Sequence, residues 1–316
     1  MSAIKPSAPF TVIDFFEGEL QQKVSYAHTR LSPSQHALIV FAIGRSESAL
    51  KYQKLTTQLQ QAGFDVVLCD HRGQGASQRF NADPLLGDVD SFDYYVSDLK
   101  TLFNHLQLER YSQRFLLGHS MGGAIATLYL NRYPQDFSAC TLSAPMFGIQ
   151  LPDYLPRHLA YIIAKTLAIR DQSRHQQSYA PSQKNLQWPD FSVNPLTHSQ
   201  TNYLALQELF KCHPNLLITG VSNRWLTESF RAMAQIARLP VLTTPILLLT
   251  PLADPIVSIA AQQRFIQKQP NSQQQCFKNA FHELFIESDP DRQQAIQKMI
   301  TFYNDHRRES VPFPVH

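Results

Sequence analysis

The chain has no cysteine pair at C-x-x-C spacing, no long apolar run, no block of like charge and no internal repeat. Each absence closes a class of explanation. The four cysteines, Cys69, Cys140, Cys212 and Cys276, stand far apart, which argues against a zinc or dithiol site. Cys69 and Cys140 sit inside apolar runs and read as buried thiols in a reducing compartment. No stretch approaches the ~18 apolar residues of a membrane span. The opening segment, MSAIKPSAPFTVIDFFEGEL, lacks the pattern of an export signal, because Pro6, Pro9, Asp14, Glu17 and Glu19 interrupt any apolar region. A soluble protein, or one attached to a membrane surface, is expected. A net charge of +3, without a Lys/Arg block or a recognisable nucleic-acid motif, gives no reason to expect nucleic acid as a partner.

What is present points to one large domain, or a domain with an insertion: 316 residues, 43% of them hydrophobic, can build a substantial core. Apolar runs at 36–43, 65–70, 114–119, 137–144 and 245–250 read as strands covered on both faces. Helical patterns at 48–62, 92–108, 121–133, 256–268 and 289–306 alternate with them. That rhythm predicts an α/β fold, a mostly parallel sheet with helices on both faces. It breaks between about Met146 and Pro240, where prolines, aromatics and helical pieces replace strands. No obvious flexible linker flanks this region, so it reads as a lid at 146–240 over a core of 1–145 and 241–316 rather than as an independent domain.

The stretch FLLGHSMGGA carries the chemistry. Gly118-His119-Ser120-Met121-Gly122 matches G-x-S-x-G, between a strand and a helix. In such an elbow the nucleophilic serine sits on a strained turn, and flanking glycines remove side chains that would clash. Gly123 lets the helix pack closely. The backbone N–H of Met121, at the helix start, can face a developing oxyanion. His119 reads as the variable elbow residue, not as the base, because its side chain should point away from that of Ser120.

A serine nucleophile needs a base, and the base an orienting acid. In the order Ser, acid, His, the acid is Asp254 in PILLLTPLADPIV. The base is His282 in CFKNAFHELF, after a last short strand near 274–277. Both would lie at the carboxyl edge of the sheet. Asp289 and Asp291 follow the histidine and read as the start of the final helix. The loop after the first run, Gly44-Arg45-Ser46, offers the N–H of Arg45 as the second oxyanion donor. The Arg45 side chain could reach an anionic headgroup or be solvated or ion-paired. The turn Asp70-His71-Arg72-Gly73-Gln74-Gly75 is not a dinucleotide site, because Gln78 stands where the third glycine would. His282-Glu283 does not begin a zinc-binding H-E-x-x-H, because residue 286 is Ile.

The segments DHRGQGASQR, GHSMGGAIATLYL, SAPMFGI, LTHSQ, WLTES and AFHELFIE resemble the α/β-hydrolase branch of monoacylglycerol lipases and bacterial lysophospholipases. They are especially similar to the second, inner-membrane-associated lysophospholipase type. The similarity runs from about Phe10 to Asn304 and includes the lid. It implies Ser120, Asp254 and His282 as the triad, with oxyanion donors Arg45 and Met121. It also implies a lysophospholipid or monoacylglycerol substrate and a cytoplasmic protein, either free or peripherally associated with the inner membrane; the reaction itself needs no cofactor or metal. The chain departs from the branch in carrying Ile43-Gly44 where many relatives have His-Gly. Its LADP acid segment matches the broader branch better than the lysophospholipases.

The expected reaction is ester hydrolysis in two steps, through an acyl-enzyme on Ser120. The rivals are a monoacylglycerol lipase, another esterase or an aminopeptidase and, from a different class, a non-catalytic lipid-binding protein. Intact Ser120, Asp254 and His282 argue against the last. In 154–169, Leu155, Leu159, Ile162, Ile163 and Ile169 fall on one helical face, with Arg157, Tyr161 and Lys165 near the other. Residues 151–240 hold nine Lys/Arg and five Asp/Glu, 9 − 5 = +4. Such a lid helix could rest on an anionic lipid surface, or pack its apolar face on the core.

Overall fold

The computed structural model describes residues 9–184 and 188–307. Eight strands form one sheet: β1 (Val12–Glu17), β2 (Lys23–His28), β3 (Ala37–Ala42), β4 (Phe64–Asp70), β5 (Arg114–His119), β6 (Ala139–Ser143), β7 (Ile246–Pro251) and β8 (Ser272–Phe277). The helices are α1 (Gln53–Gln61), α2 (Phe92–His105), α3 (Met121–Arg132), α4 (Arg157–Ser173), α5 (Gln200–Cys212), α6 (Asn223–Ile236), α7 (Ile259–Ile266) and α8 (Asp291–Asp305). The spatial order is β1-β2-β4-β3-β5-β6-β7-β8. The β1/β2 and β2/β4 pairs are antiparallel, and the remaining pairs are parallel.

Alternation along each strand builds two cores, because successive side chains point to opposite faces. Leu38, Val40, Leu116, Cys140, Leu142 and Leu248 join α2, α3 and α7 on one face. Ile39, Phe41, Phe115, Leu117, Leu247 and Leu249 join α1 and α8 on the other. Parallel strands buried on both faces explain why the runs were apolar throughout. Cys69 and Cys140 are buried and free, as expected, whereas Cys212 and Cys276 are exposed.

The antiparallel pair β1/β2 has no counterpart among those runs. VIDFFE and KVSYAH mix charged with apolar residues, and β1 is an edge strand with only Phe16 buried. The pattern at 48–62 splits into a 3-10 turn (Ala49–Tyr52) and α1. Among the described residues between β6 and β7, the chain adds α4, α5 and α6 and no strand to the sheet. Among the described residues, no helix is long and apolar enough to cross a membrane.

The chain reverses its direction of growth at β3, which pairs with β4 on one side and β5 on the other. Open α/β sheets form their crevice at the carboxyl ends of strands flanking such a switch. Here those ends lead into Gly44-Arg45 and into Ser120.

Candidate active site

Ser120 joins β5 to α3 with φ 53° and ψ −119°, a backbone state that costs an ordinary L-residue strain. Its neighbours hold it there. Its N–H donates to Ser143 O at 3.0 Å, and its carbonyl accepts from Gly123 and Met146 N–H at 2.9 Å each. The turn closes only because Gly122 has no side chain: a Cβ there would lie 1.9 Å from Ala42 O. A serine at a helix N-cap ordinarily bonds its own helix. The Ser120 side chain makes no such bond, and Oγ lies 2.9 Å from Nε2 of His282.

His282 follows β8 and is buried. Its Nδ1 lies 2.6 Å from Oδ2 of Asp254, in the turn after β7. The other oxygen, Oδ1, accepts from the N–H groups of Ile256 and Val257 at 2.7 and 3.1 Å, which fixes the carboxylate's orientation. The three residues expected from the sequence therefore meet in one hydrogen-bonded chain, 162 and 28 positions apart along the polypeptide. Asp289 and Asp291 lie at the start of α8, where Asp289 pairs with Arg292.

The loop after β3 is braced from two sides. Gly44 N–H donates to the Glu47 carboxylate, and Gln74 Nε2 donates to Gly44 O at 2.7 Å. Asp70 accepts from Ala49 N–H at 2.6 Å and Ala76 N–H at 2.8 Å, tying this loop to the turn after β4. Burial, opposed by these bonds, pushes Asp70 up to about 6. The glycine-containing turn that is not a dinucleotide site thus supports the Arg45 loop. Among the described residues, no protein acceptor takes the N–H of Arg45. Met121, first in α3, has an N–H without an intrahelical partner.

Beside the triad lies a buried ionic cluster that sequence reading did not find. Lys51 Nζ contacts Glu47 and lies 2.6 Å from Glu283 Oε2. Tyr52 Oη donates to Glu47 at 2.8 Å. The His119 ring sits 5.0 Å from that of His282. Its Nδ1 faces Ser143 O at 3.2 Å and must donate to it, while Nε2 lies 3.2 Å from Glu283 Oε2. A carboxylate on Nε2 favours a proton there as well. Burial opposes the charge on His119, but Glu283 and Glu47 outweigh it and raise its pKa. Burial likewise opposes the Glu283 charge, and Lys51 and His119 outweigh it, holding that carboxyl well below its usual range. Glu47, His119 and Glu283 bring ligand atoms within 4.8 Å of one another, as a metal site would. Lys51 already supplies a cation to both carboxylates, so the cluster is an ion-pair network.

Ser120 and His282 open into a cavity of about 240 Å³. Arg45, Glu47, Lys51 and Glu283 form its charged part, and Trp188, Leu196, Leu206, Leu217 and Ile218 its apolar wall. That wall comes from the chain between β6 and β7.

With this geometry in place, the chain can be set beside known proteins. A family model described as serine aminopeptidase, S33, matches residues 33–289. The chain belongs to this α/β-hydrolase family. Lysophospholipase L2 of Escherichia coli (strain K12) is 34% identical to the hydrolase over 284 residues, 86% of this chain and 82% of that protein. Monoglyceride lipase of Rattus norvegicus is 25% identical over 282 residues, 87% and 84% of the two chains. A soluble variant of monoglyceride lipase from Saccharomyces cerevisiae, solved with a substrate analog, shares the fold with a TM-score of 0.73. It is 17% identical and covers 96% of this chain and 99% of its own. The hydrolase is a carboxylic ester hydrolase, like these relatives.

In the hydrolase, α4 itself turns its large apolar residues away from the core. Ala160 and Ala164 are buried, and Tyr161 packs edge-on to Phe230 of α6 at 6.2 Å. Leu159, Ile162, Ile163 and Ile169 face outward, Ile162 and Ile169 being 54% and 58% exposed. Of the apolar face read from the sequence, Leu155, just before α4, packs against the core, whereas Leu159, Ile162, Ile163 and Ile169 remain outside.

Proposed function

We propose that the hydrolase cleaves the acyl ester of lysophospholipids through a serine nucleophile and an acyl-enzyme. The hydrogen-bonded chain from Ser120 through His282 to Asp254 carries this reading. In the first step Ser120 Oγ attacks the acyl carbonyl as its proton passes to His282 Nε2. Asp254, held by two backbone N–H groups, accepts from Nδ1–H and stabilises the imidazolium. The N–H groups of Arg45 and Met121 receive the oxyanion, with the amino end of α3 adding its dipole. His282 returns the proton to the departing glycerol oxygen. Water, deprotonated by the same imidazole, then releases the fatty acid and restores Ser120.

Residues 146–240 act in this reading as a lid. Trp188, Leu196, Leu206, Leu217 and Ile218 give the cavity an apolar wall suited to an acyl chain. The outward strip on α4, accompanied by Arg157, Lys165, Arg170 and Arg174, suits peripheral contact with an anionic lipid surface. Substrate would then arrive from the bilayer beside the lid. The similarity to lysophospholipase L2 extends over most of both chains and favours lysophospholipid over other lipid esters.

The test is fatty-acid release from a lysophospholipid, a monoacylglycerol and a short-chain ester, with wild type and Ser120→Ala side by side. The proposal expects preference for the lysophospholipid and loss of at least about 10³-fold in kcat in Ser120→Ala. Preference for another ester would overturn the substrate. Release that persists in Ser120→Ala would overturn the mechanism.

A further inference from the structure

Two basic side chains line the cavity, and their surroundings differ. Lys51 sits between the carboxylates of Glu47 and Glu283. Arg45 has no carboxylate within ion-pair distance among the described residues. Its Nη1 donates to Thr219 O at 2.7 Å, and its guanidinium carbon lies 5.6 Å from the centre of the Trp225 ring. Nearby Asp88 and Asp90 are both taken by Arg224. Burial, only slightly offset by Tyr95, lowers Arg45 to about 10. A half-buried cation without a counterion carries an unfavourable desolvation that an arriving anion would relieve. A planar guanidinium suits the oxygens of a phosphodiester in particular.

We propose that the Arg45 side chain, held at the cavity wall by Thr219 and Trp225, binds the phosphodiester of the leaving glycerophospho headgroup and so selects lysophospholipids over uncharged monoacylglycerols. This rests on the ester-hydrolase mechanism proposed above and names the residue that would read the substrate's anionic group. Arg45 would serve twice, its backbone N–H toward the oxyanion and its side chain toward the headgroup. The other charges facing the cavity, Lys51, Glu47, Glu283 and His119, neutralise one another and leave the guanidinium as the uncompensated group.

The experiment compares kcat/KM for 1-palmitoyl-lysophosphatidylglycerol and 1-palmitoylglycerol in the same mixed micelles. These lipids share acyl chain and ester and differ in the phosphodiester headgroup. In Arg45→Gln, which removes the charge and keeps a polar side chain, the ratio of the two constants should fall about tenfold or more, mainly through KM. Arg45→Lys, which keeps the charge, should retain most of the ratio. Damage to folding or to the oxyanion site lowers both constants together, so an unchanged ratio in Arg45→Gln would overturn the assignment. Glycerophosphoglycerol should also inhibit wild type more strongly than inorganic phosphate does. Equal inhibition would overturn headgroup recognition. If wild type cleaves the monoacylglycerol but not the lysophospholipid, the proposed substrate fails and the Arg45 assignment fails with it. If wild type cleaves the lysophospholipid and the ratio does not move, the Arg45 assignment alone fails.

Discussion

Replacing Lys51 by Met would keep most of the side chain's length and remove its charge from between two buried carboxylates. Lys51, Glu47 and Glu283 have side chains only 2%, 4% and 8% exposed. Solvent therefore cannot take over the role of the ammonium. Removing one partner of a buried pair costs about 3–5 kcal/mol, because a desolvated charge is left behind. A domain of this kind has about 5–15 kcal/mol to lose. At about 2 °C per kcal/mol, the low end for larger chains, the variant should melt about 6–10 °C below wild type.

The same change should alter how stability depends on pH. In wild type the folded pKa of Glu283 lies below its ordinary value, with Lys51 and His119 outweighing burial. Its stabilisation is therefore in force above about pH 4.3 and is lost as pH falls through the folded pKa. In Lys51→Met burial acts on Glu283 without the ammonium, and protonation relieves the variant as pH falls. The gap between the proteins should narrow from about pH 7.5 toward pH 5. Urea denaturation followed by the fluorescence of Trp188 and Trp225 measures it. A gap below about 1 kcal/mol at pH 7.5, or one that stays constant down to pH 5, would refute the reasoning. The double variant Lys51→Met/Glu283→Gln should recover part of the loss, because one stranded carboxylate is gone.

Two further outcomes follow from the same packing. His119 has a raised folded pKa, with Glu283 and Glu47 outweighing burial, so its stabilisation is complete below about pH 6.5 and fades as pH rises through the folded value. His119→Gln should flatten that alkaline decline, and stability measured from about pH 6 to 9 checks it; an unaltered slope would show that His119 stays neutral. On α4, Ile162→Ser with Ile163→Ser should change stability by no more than about 0.5 kcal/mol per site, yet lower binding to vesicles containing anionic lipid about tenfold. Co-sedimentation reads this, and equal binding by wild type and variant would remove α4 from the membrane contact.

The parts of this molecule legible in the sequence are those that local chemistry dictates. The run from β5 through Ser120 to α3 shows itself because a buried strand, a strained turn and a close-packed helix each restrict neighbouring residues. Gly122 is small because Ala42 O leaves no room for a Cβ. Asp254 and His282 were readable by order and by position after strands. The β1/β2 pair was not, since an antiparallel edge needs neither a long apolar run nor complete burial. The ionic cluster left still less trace: Lys51 and Glu283 meet across 232 residues, and each alone looks like an ordinary surface charge. Glu283 drew notice only as a false start to a zinc motif.

The α4 helix marks where periodicity stops being informative. A 3.6-residue repeat establishes that a helix has two faces, but not which face meets the protein. That choice belongs to the partner: α4 packs on α6, and its buried residues include the small Ala160 and Ala164. Leaving isoleucines outward is unfavourable in water and favourable against lipid, and that difference is what supports the membrane contact proposed for α4. Arg45 presents the same problem in charge. A guanidinium without a carboxylate is a poor arrangement for stability alone, and the headgroup contact proposed above would supply the missing anion. Under the two proposals the α4 strip would meet the acyl layer of a membrane and Arg45 the phosphodiester of a bound lysophospholipid, so each cost to the isolated fold would be relieved when the enzyme meets its substrate.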